Sequence, residues 1–87
     1  MNLEEEILDA TKKGNIILGY KESRKYIKVN KAKLVVLANN APEKIRKEIE
    51  HNASIAGIKV EIFDKGSKDL GILCGKPYPV SVLVIKW

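Results

Sequence analysis

Apolar positions along this chain fall into two alternating periods. Leu3, Ile7, Ala10 and Thr11 repeat at helical spacing. Asn2 with Glu5 three positions on forms a capping pair, so residues 3–12 are predicted to be helical and to stop at Gly14. Ile16-Ile17-Leu18 is a short, wholly apolar strand, and Gly19 turns the chain into a second helix over 22–30. Tyr26, Ile27 and Asn30 are expected on the inner edge of that helix, with Lys25 and Lys28 outward. Leu34-Val35-Val36-Leu37-Ala38 is continuous and β-branched, as suits a central strand covered on both faces. Asn39-Asn40-Ala41-Pro42 reads as a loop and helix start, proline being suited to a first helical turn. A third helix, 43–56, carries Ile45, Ile49, Ala53 and Ala56 on one stripe and ends at Gly57. Lys59 to Phe63 alternates as a more exposed strand. After the turn Asp64-Lys65-Gly66, Ser67 is expected to cap a short fourth helix through Leu70 and Leu73, closed by Gly75. Val80 to Ile85 is a last apolar strand.

Helix and strand thus alternate four times without a repeat, a linker or a low-complexity tract. That order predicts an α/β fold: a single-domain, three-layer α/β/α sandwich over residues 1–87, with a four-stranded mixed sheet and helices on both faces. Binding loops of such sheets gather where strands hand over to helices. Three loops qualify: 19–22, 39–42 and 75–80.

Composition narrows the class. Eighty-seven residues, 45% hydrophobic and 31% charged, match one soluble folded domain with a modest core. The apolar runs are too short to span a bilayer, and the acidic start Met1-Asn2-Leu3-Glu4-Glu5-Glu6 lacks an apolar signal region, so the protein is expected to stay in the cytoplasm. The single cysteine, Cys74, permits no internal disulfide. Charge changes the picture more. The net +5 is uneven: residues 1–10 hold four acids and no base, whereas residues 21–33 hold six Lys/Arg and one acid, Glu22. A helix start already favours phosphate, and here it is surrounded by cations. A polyanion, nucleic acid above all, is the partner this favours; a solvated lysine-rich surface is the alternative. One acceptor among many donors suggests base reading.

Catalytic patterns are missing. No P-loop or dinucleotide fingerprint occurs, and Gly71 and Gly75 fit close packing better than cofactor contact. His51 lacks an orienting partner, and Cys74 beside Leu73 reads as a small core residue. Glu4, Glu5, Glu6 and Asp9 read as a solvated helix face rather than a metal site. No enzyme activity, metal or cofactor is expected.

Three segments in order, Ile17-Leu18-Gly19-Tyr20-Lys21-Glu22-Ser23-Arg24-Lys25, Ala32-Lys33-Leu34-Val35-Val36-Leu37-Ala38-Asn39-Asn40-Ala41-Pro42, and Leu70-Gly71-Ile72-Leu73-Cys74-Gly75-Lys76-Pro77, carry a resemblance. Together they resemble the kink-turn-binding superfamily named after ribosomal protein "L seven Ae", and within it the large-subunit "thirty e" branch. The resemblance implies an α/β/α sandwich that binds kink-turn RNA, an internal loop with a short bulge beside sheared G·A pairs. Its recognition strip falls here on Gly19, Lys21 and Glu22, with Lys25 one turn later. The loop after the second strand contributes Asn40, and the loop before the last strand places Tyr78 and Val80 against a flipped-out nucleotide. Lys21 stands where general kink-turn binders tend to have Asn, which fits the "thirty e" branch.

The chemistry of these residues agrees with that assignment. A regular A-form major groove is too deep and narrow to read, and a kink opens it. Guanine O6 and N7 then accept from a Lys21 ammonium, and Glu22 accepts from a base N–H. Arg24, Lys25 and Lys28 are expected to hold flanking phosphates, and Tyr78 to stack on an extruded base. Each position also has a plainer reading: Glu22 as a helix N-terminal acid pairing with Arg24 or Lys25, Asn40 as a cap of the third helix, Tyr78 and Val80 as core at strand entry. The expected role is a noncatalytic protein of the large ribosomal subunit. Its expected partners are kink-turn RNA in ribosomal RNA and other ribosomal proteins, with no membrane and a monomer outside the ribosome. The alternatives are a kink-turn protein of a small RNA-guided modification or processing ribonucleoprotein, and a small phosphate-ligand-binding domain or enzyme.

Overall fold

The computed structural model describes residues 2–29 and 31–87. Asn30, expected on the inner edge of the second helix, lies outside the described residues. The elements run α1 (Leu3–Lys13), β1 (Ile16–Leu18), α2 (Tyr20–Val29), β2 (Ala32–Leu37), α3 (Glu43–Ala56), β3 (Val60–Ile62), α4 (Ser67–Leu73) and β4 (Val82–Lys86). The Asn2 cap forms as the sequence predicts, its side chain accepting from the Glu5 amide at 2.8 Å. Gly14 and Gly57 end α1 and α3.

The four strands form one mixed sheet in the order β1-β4-β2-β3. β4 is antiparallel to both β1 and β2, and β3 is parallel to β2. Two apolar layers flank the sheet, because successive strand side chains point to opposite faces. Leu34, Val36 and Ala38 of the β2 segment, with Leu83 and Ile85 of β4, pack against Ile7 and Ala10 of α1 and Leu70 of α4. Val35, Leu37, Val82 and Val84 pack instead against Ile27 of α2 and Ile49 and Ala53 of α3. β2 is therefore covered on both faces, and the three-layer α/β/α architecture is the one the alternation predicts. Each fully buried Leu, Ile or Val side chain among these stabilises by about 1.5–3 kcal/mol.

Several details differ from or add to expectation: α2 starts at Tyr20 rather than at residue 22, and the last strand at Val82 rather than Val80. Ala56 is exposed, because the buried stripe of α3 ends at Ala53 one turn earlier. Ser23 is fully buried on α2. Ser67 does not cap α4 but is its first residue, and its amide is capped by the side chain of Asn40.

The strand directions decide where the loops go. β1, β2 and β3 run one way and β4 the other, so the exits of the first three and the entrance of the fourth share one end of the sheet. Backbone bonds join these loops: Gly19 N to Val82 O at 3.0 Å, Ala38 N to Ser81 O at 2.9 Å, and Asn39 N to Lys65 O at 3.0 Å.

Candidate nucleic-acid interface

Gly19 enters α2 with φ of 95°, a conformation that costs glycine little and strains other residues. A Cβ there would meet nothing within 4 Å, so the space beside the turn is open. From this turn, α2 distributes its residues at 3.6 per turn onto distinct flanks. Ser23 and Ile27 face the sheet. Tyr20, Arg24 and Lys28, spaced by four, share the flank toward α3. Glu22, Tyr26 and Val29 share the opposite flank, beside β1.

Glu22 is exposed and, among the described residues, forms no ion pair, so the pairing with Arg24 or Lys25 considered from sequence is not made. It stands between two clefts. One, of about 380 Å³, runs from β1 to the loop before β4 and is lined by Thr11, Leu18, Glu22, Cys74, Lys76 and Tyr78 among others. The other, of about 390 Å³, is lined by Ile17, Glu22, Lys25, Tyr26 and Val29. Each cleft thus carries an aromatic ring and a lysine, and Glu22 and Ile17 belong to both. Tyr78 is 52% exposed. Lys21 and Lys25 are exposed on the solvent side of α2.

The loop bearing Tyr78 is held by α4. Gly71 lies against it so closely that a Cβ would sit 2.1 Å from the Tyr78 carbonyl oxygen. This is the close backbone packing expected of Gly71. Val80 N donates to Ser67 O at 3.0 Å, and the Val80 side chain, 2% exposed, belongs to the core. The expectation that Val80 presents its side chain to a nucleotide is corrected here: burial leaves it to support the loop from within.

Asn40 is also placed differently from its expected cap of α3. Its Oδ1 accepts from the Ser67 amide at 2.8 Å and so caps α4, while α3 begins at Glu43 behind Pro42, which offers no side-chain cap. Ser67 thereby links two of the three loops, through its amide to Asn40 and through its carbonyl to Val80.

Arg24 is engaged internally. Its Nη1 lies 3.3 Å from Glu48 Oε1 and 3.2 Å from the Tyr20 hydroxyl, and its guanidinium sits 5.1 Å from the Tyr20 ring centre. The Tyr20 hydroxyl donates to Glu48 Oε2. This corrects the expectation of an Arg24 free for phosphate. The Tyr20 bond, with Arg24 and Lys28 nearby, holds the Glu48 carboxyl below the usual carboxylate range. The same carboxylate, with burial, pushes the Tyr20 phenol up, and it also raises Arg24.

The candidate residues therefore divide. The structure brings Glu22 and Tyr78 to one cleft and Glu22 and Lys25 to the next, with Gly19 and Lys21 beside them. It sets Arg24 and Lys28 on the α3 flank, Asn40 at the start of α4 and Val80 inside. Sequence reasoning missed Lys76 and Tyr26 as cleft residues, though Lys76 lies within a loop it had singled out. It also missed the Tyr20–Glu48 contact, which spans 28 residues and leaves no local signal. Burial pushes the Cys74 thiol up and the residue is 3% exposed, as a core cysteine should be. Among the described residues no group of three or more His, Cys, Asp or Glu could hold a metal ion, and no helix is long and apolar enough to cross a membrane.

Comparison with known proteins adds a second line of argument. The profile of the "Ribosomal protein L7Ae/L30e/S12e/Gadd45 family" matches residues 1–87. "Large ribosomal subunit protein eL30" of Methanothermobacter thermautotrophicus is 40% identical over 99% of this chain and 88% of its own length. The protein of the same name from Aeropyrum pernix is 34% identical over 98% of this chain and 85% of its own. Among solved structures, a "15.5kD RNA binding protein" of Giardia lamblia superposes with a TM-score of 0.86 at 26% identity, covering 98% of this chain and 71% of that one.

Proposed function

The chain belongs to the ribosomal protein L7Ae/L30e/S12e/Gadd45 family, and from that premise we propose that it is a structural, noncatalytic protein of the large ribosomal subunit that recognises and stabilises kink-turn RNA. Its relatives at 34–40% identity are ribosomal proteins, which places its work in the cytoplasm on the ribosome. Ribosomal RNA is its principal partner, with other ribosomal proteins as neighbours, and outside the ribosome it is a monomer.

One observation carries the kink-turn reading: Glu22 is an exposed acid, without an ion pair among the described residues, at the divide of two clefts that otherwise offer lysines, aromatics and apolar walls. A phosphate-only surface has no use for a carboxylate there, since it repels the backbone. A surface that reads bases does, because the guanine imino and amino groups and the adenine amino group need an acceptor. The guanine imino and the adenine amino groups are out of reach in a regular A-form helix, and a kink exposes them. In this reading Glu22 accepts from a base of the kink, Lys21 donates to guanine acceptors, and Gly19 admits the RNA backbone. Lys25 holds a phosphate, and Lys28 adds a less selective attraction. Tyr78 stacks on the extruded base, with Lys76 beside it; such stacking contributes about 1–3 kcal/mol in single-strand binders. Asn40 acts by holding α4, and with it the Tyr78 loop.

The test is a direct comparison of affinities for a kink-turn RNA and for a plain duplex of equal length at one fixed salt concentration. The reading requires a clear preference for the kinked RNA. Equal affinities with equal salt slopes would leave only a basic surface.

A further inference from the structure

Glu48 lies on α3, outside both clefts, yet it accepts a hydrogen bond from Tyr20, the residue that starts α2. Its neighbour Ile49 is fully buried, so the backbone at this position is fixed by the core. One carboxylate oxygen receives the Tyr20 hydroxyl and the other faces Arg24 Nη1, which also reaches the Tyr20 hydroxyl, closing a three-sided contact. We propose that Glu48 is a positioning residue for RNA reading: through Tyr20 and Arg24 it fixes the roll of the first turn of α2, and so sets where Glu22 points. The inference rests on the kink-turn reading above and adds a residue that touches no RNA.

Geometry gives the reason. The backbone bond from Gly19 N to Val82 O fixes where α2 begins, and the buried Ser23 and Ile27 seat the helix on the sheet; the first turn, which carries the exposed Glu22, is held from its other flank by the Tyr20–Arg24–Glu48 contact. Tyr20 and Glu22 are two residues apart, about 200° around the axis, so a tether on one side holds the other. With side chains about 5–6 Å from the axis, a roll of about 20° carries the Glu22 carboxylate roughly 2 Å. Hydrogen bonds keep within about 2.7–3.2 Å, so that displacement breaks one to a base. The Arg24–Glu48 pair is about one-third exposed on both sides. Pairs of that kind add little to stability. Its consequence is direction rather than strength.

A double-mutant cycle tests this, using the full chain, a kink-turn RNA and a duplex of equal length. Tyr20→Phe removes the hydroxyl but keeps the ring. It is expected to weaken kink-turn binding by about tenfold, mainly through faster dissociation, and to leave duplex binding within about twofold. Glu22→Gln removes the reading group itself. If Tyr20 acts through Glu22, adding Tyr20→Phe to Glu22→Gln costs no more than about twofold further on the kink-turn RNA, because coupled residues are not additive. Glu48→Gln, which keeps an acceptor for the Tyr20 hydroxyl but releases Arg24, provides a milder variant should Tyr20→Phe fold poorly; a loss between those of wild type and Tyr20→Phe is expected. Losses that multiply, or a Tyr20→Phe variant within twofold of wild type on the kink-turn RNA, overturn the positioning role alone. A wild-type protein without preference for the kinked RNA overturns the kink-turn reading and the positioning role with it.

Discussion

The carbonyl oxygen of Tyr78 occupies the place of the side chain that Gly71 lacks, 2.1 Å from where a Cβ would stand. This contact seats the loop before β4 on α4 and holds the exposed Tyr78 ring at the mouth of the cleft that Glu22 shares. Gly71→Ala must push the loop or the helix away. We expect a loss of about 1–3 kcal/mol in denaturant unfolding, the range for forced overpacking, together with weaker kink-turn binding. Unchanged stability would show that the loop yields without cost.

Asn40 and Ser67 form the second tie at this end. Loss of a helix cap costs about 0.5–2 kcal/mol, so Asn40→Ala should destabilise by that amount, and Asn40→Asp, which keeps the acceptor, by clearly less. Amide hydrogen exchange at Ser67 and the first turn of α4 locates the effect: faster exchange there in Asn40→Ala, with α3 unchanged, is the expected pattern.

The fold was legible because its signals are local. The apolar runs at 16–18, 34–38 and 80–85 and the helical stripes of α1 and α3 each announce an element without reference to any other. Clustering of the 19–22 and 39–42 loops was legible too, since both follow strands, whereas the 75–80 loop joins them only because β4 runs antiparallel to β1 and β2. Contacts that join distant segments were not. Asn40 precedes α3 and carries a side chain suited to capping it, yet the helix it caps begins 27 residues later. Arg24 sits in a lysine-rich run and reads as one more phosphate contact until Glu48 is brought beside it. Val80, at the head of the apolar run 80–85, was open to either a core or a nucleotide-contacting role, and packing draws it into the core. In each case local chemistry offered a sensible role and tertiary packing supplied another.

Ser23 shows the opposite economy. Its hydroxyl is buried in α2 and has no hydrogen-bond partner among the described residues. A buried polar group without a partner destabilises by about 1–3 kcal/mol, so Ser23→Ala should raise the denaturation midpoint rather than lower it. Better helix propensity adds in the same direction. A drop in the midpoint would reveal a partner for the hydroxyl in solution.

Acid stability offers a separate check on the Tyr20–Arg24–Glu48 contact. Glu48 titrates below its ordinary range in the folded protein, first because of the Tyr20 hydroxyl and then because of Arg24. A carboxyl with a depressed folded value contributes stability that is present above its unfolded value and is lost as pH falls through the folded one. Glu48→Gln should therefore narrow its difference from wild type as pH is lowered through and below the usual carboxylate range. Thermal unfolding across that window measures it, and a difference that stays constant with pH would separate Glu48 from the effect.

The central claim is that one carboxylate reads what the surrounding cations only attract. Glu22→Ala and Lys28→Ala, each titrated with a kink-turn RNA and an equal-length duplex over a range of salt, measure it most directly. Glu22→Ala should lose affinity for the kinked RNA by about tenfold or more, as for one good base contact of about 1–3 kcal/mol, and leave the duplex nearly unaffected. Lys28→Ala should weaken both RNAs alike and flatten the salt dependence by about one unit of slope. Equal losses from the two substitutions on both RNAs would contradict the account.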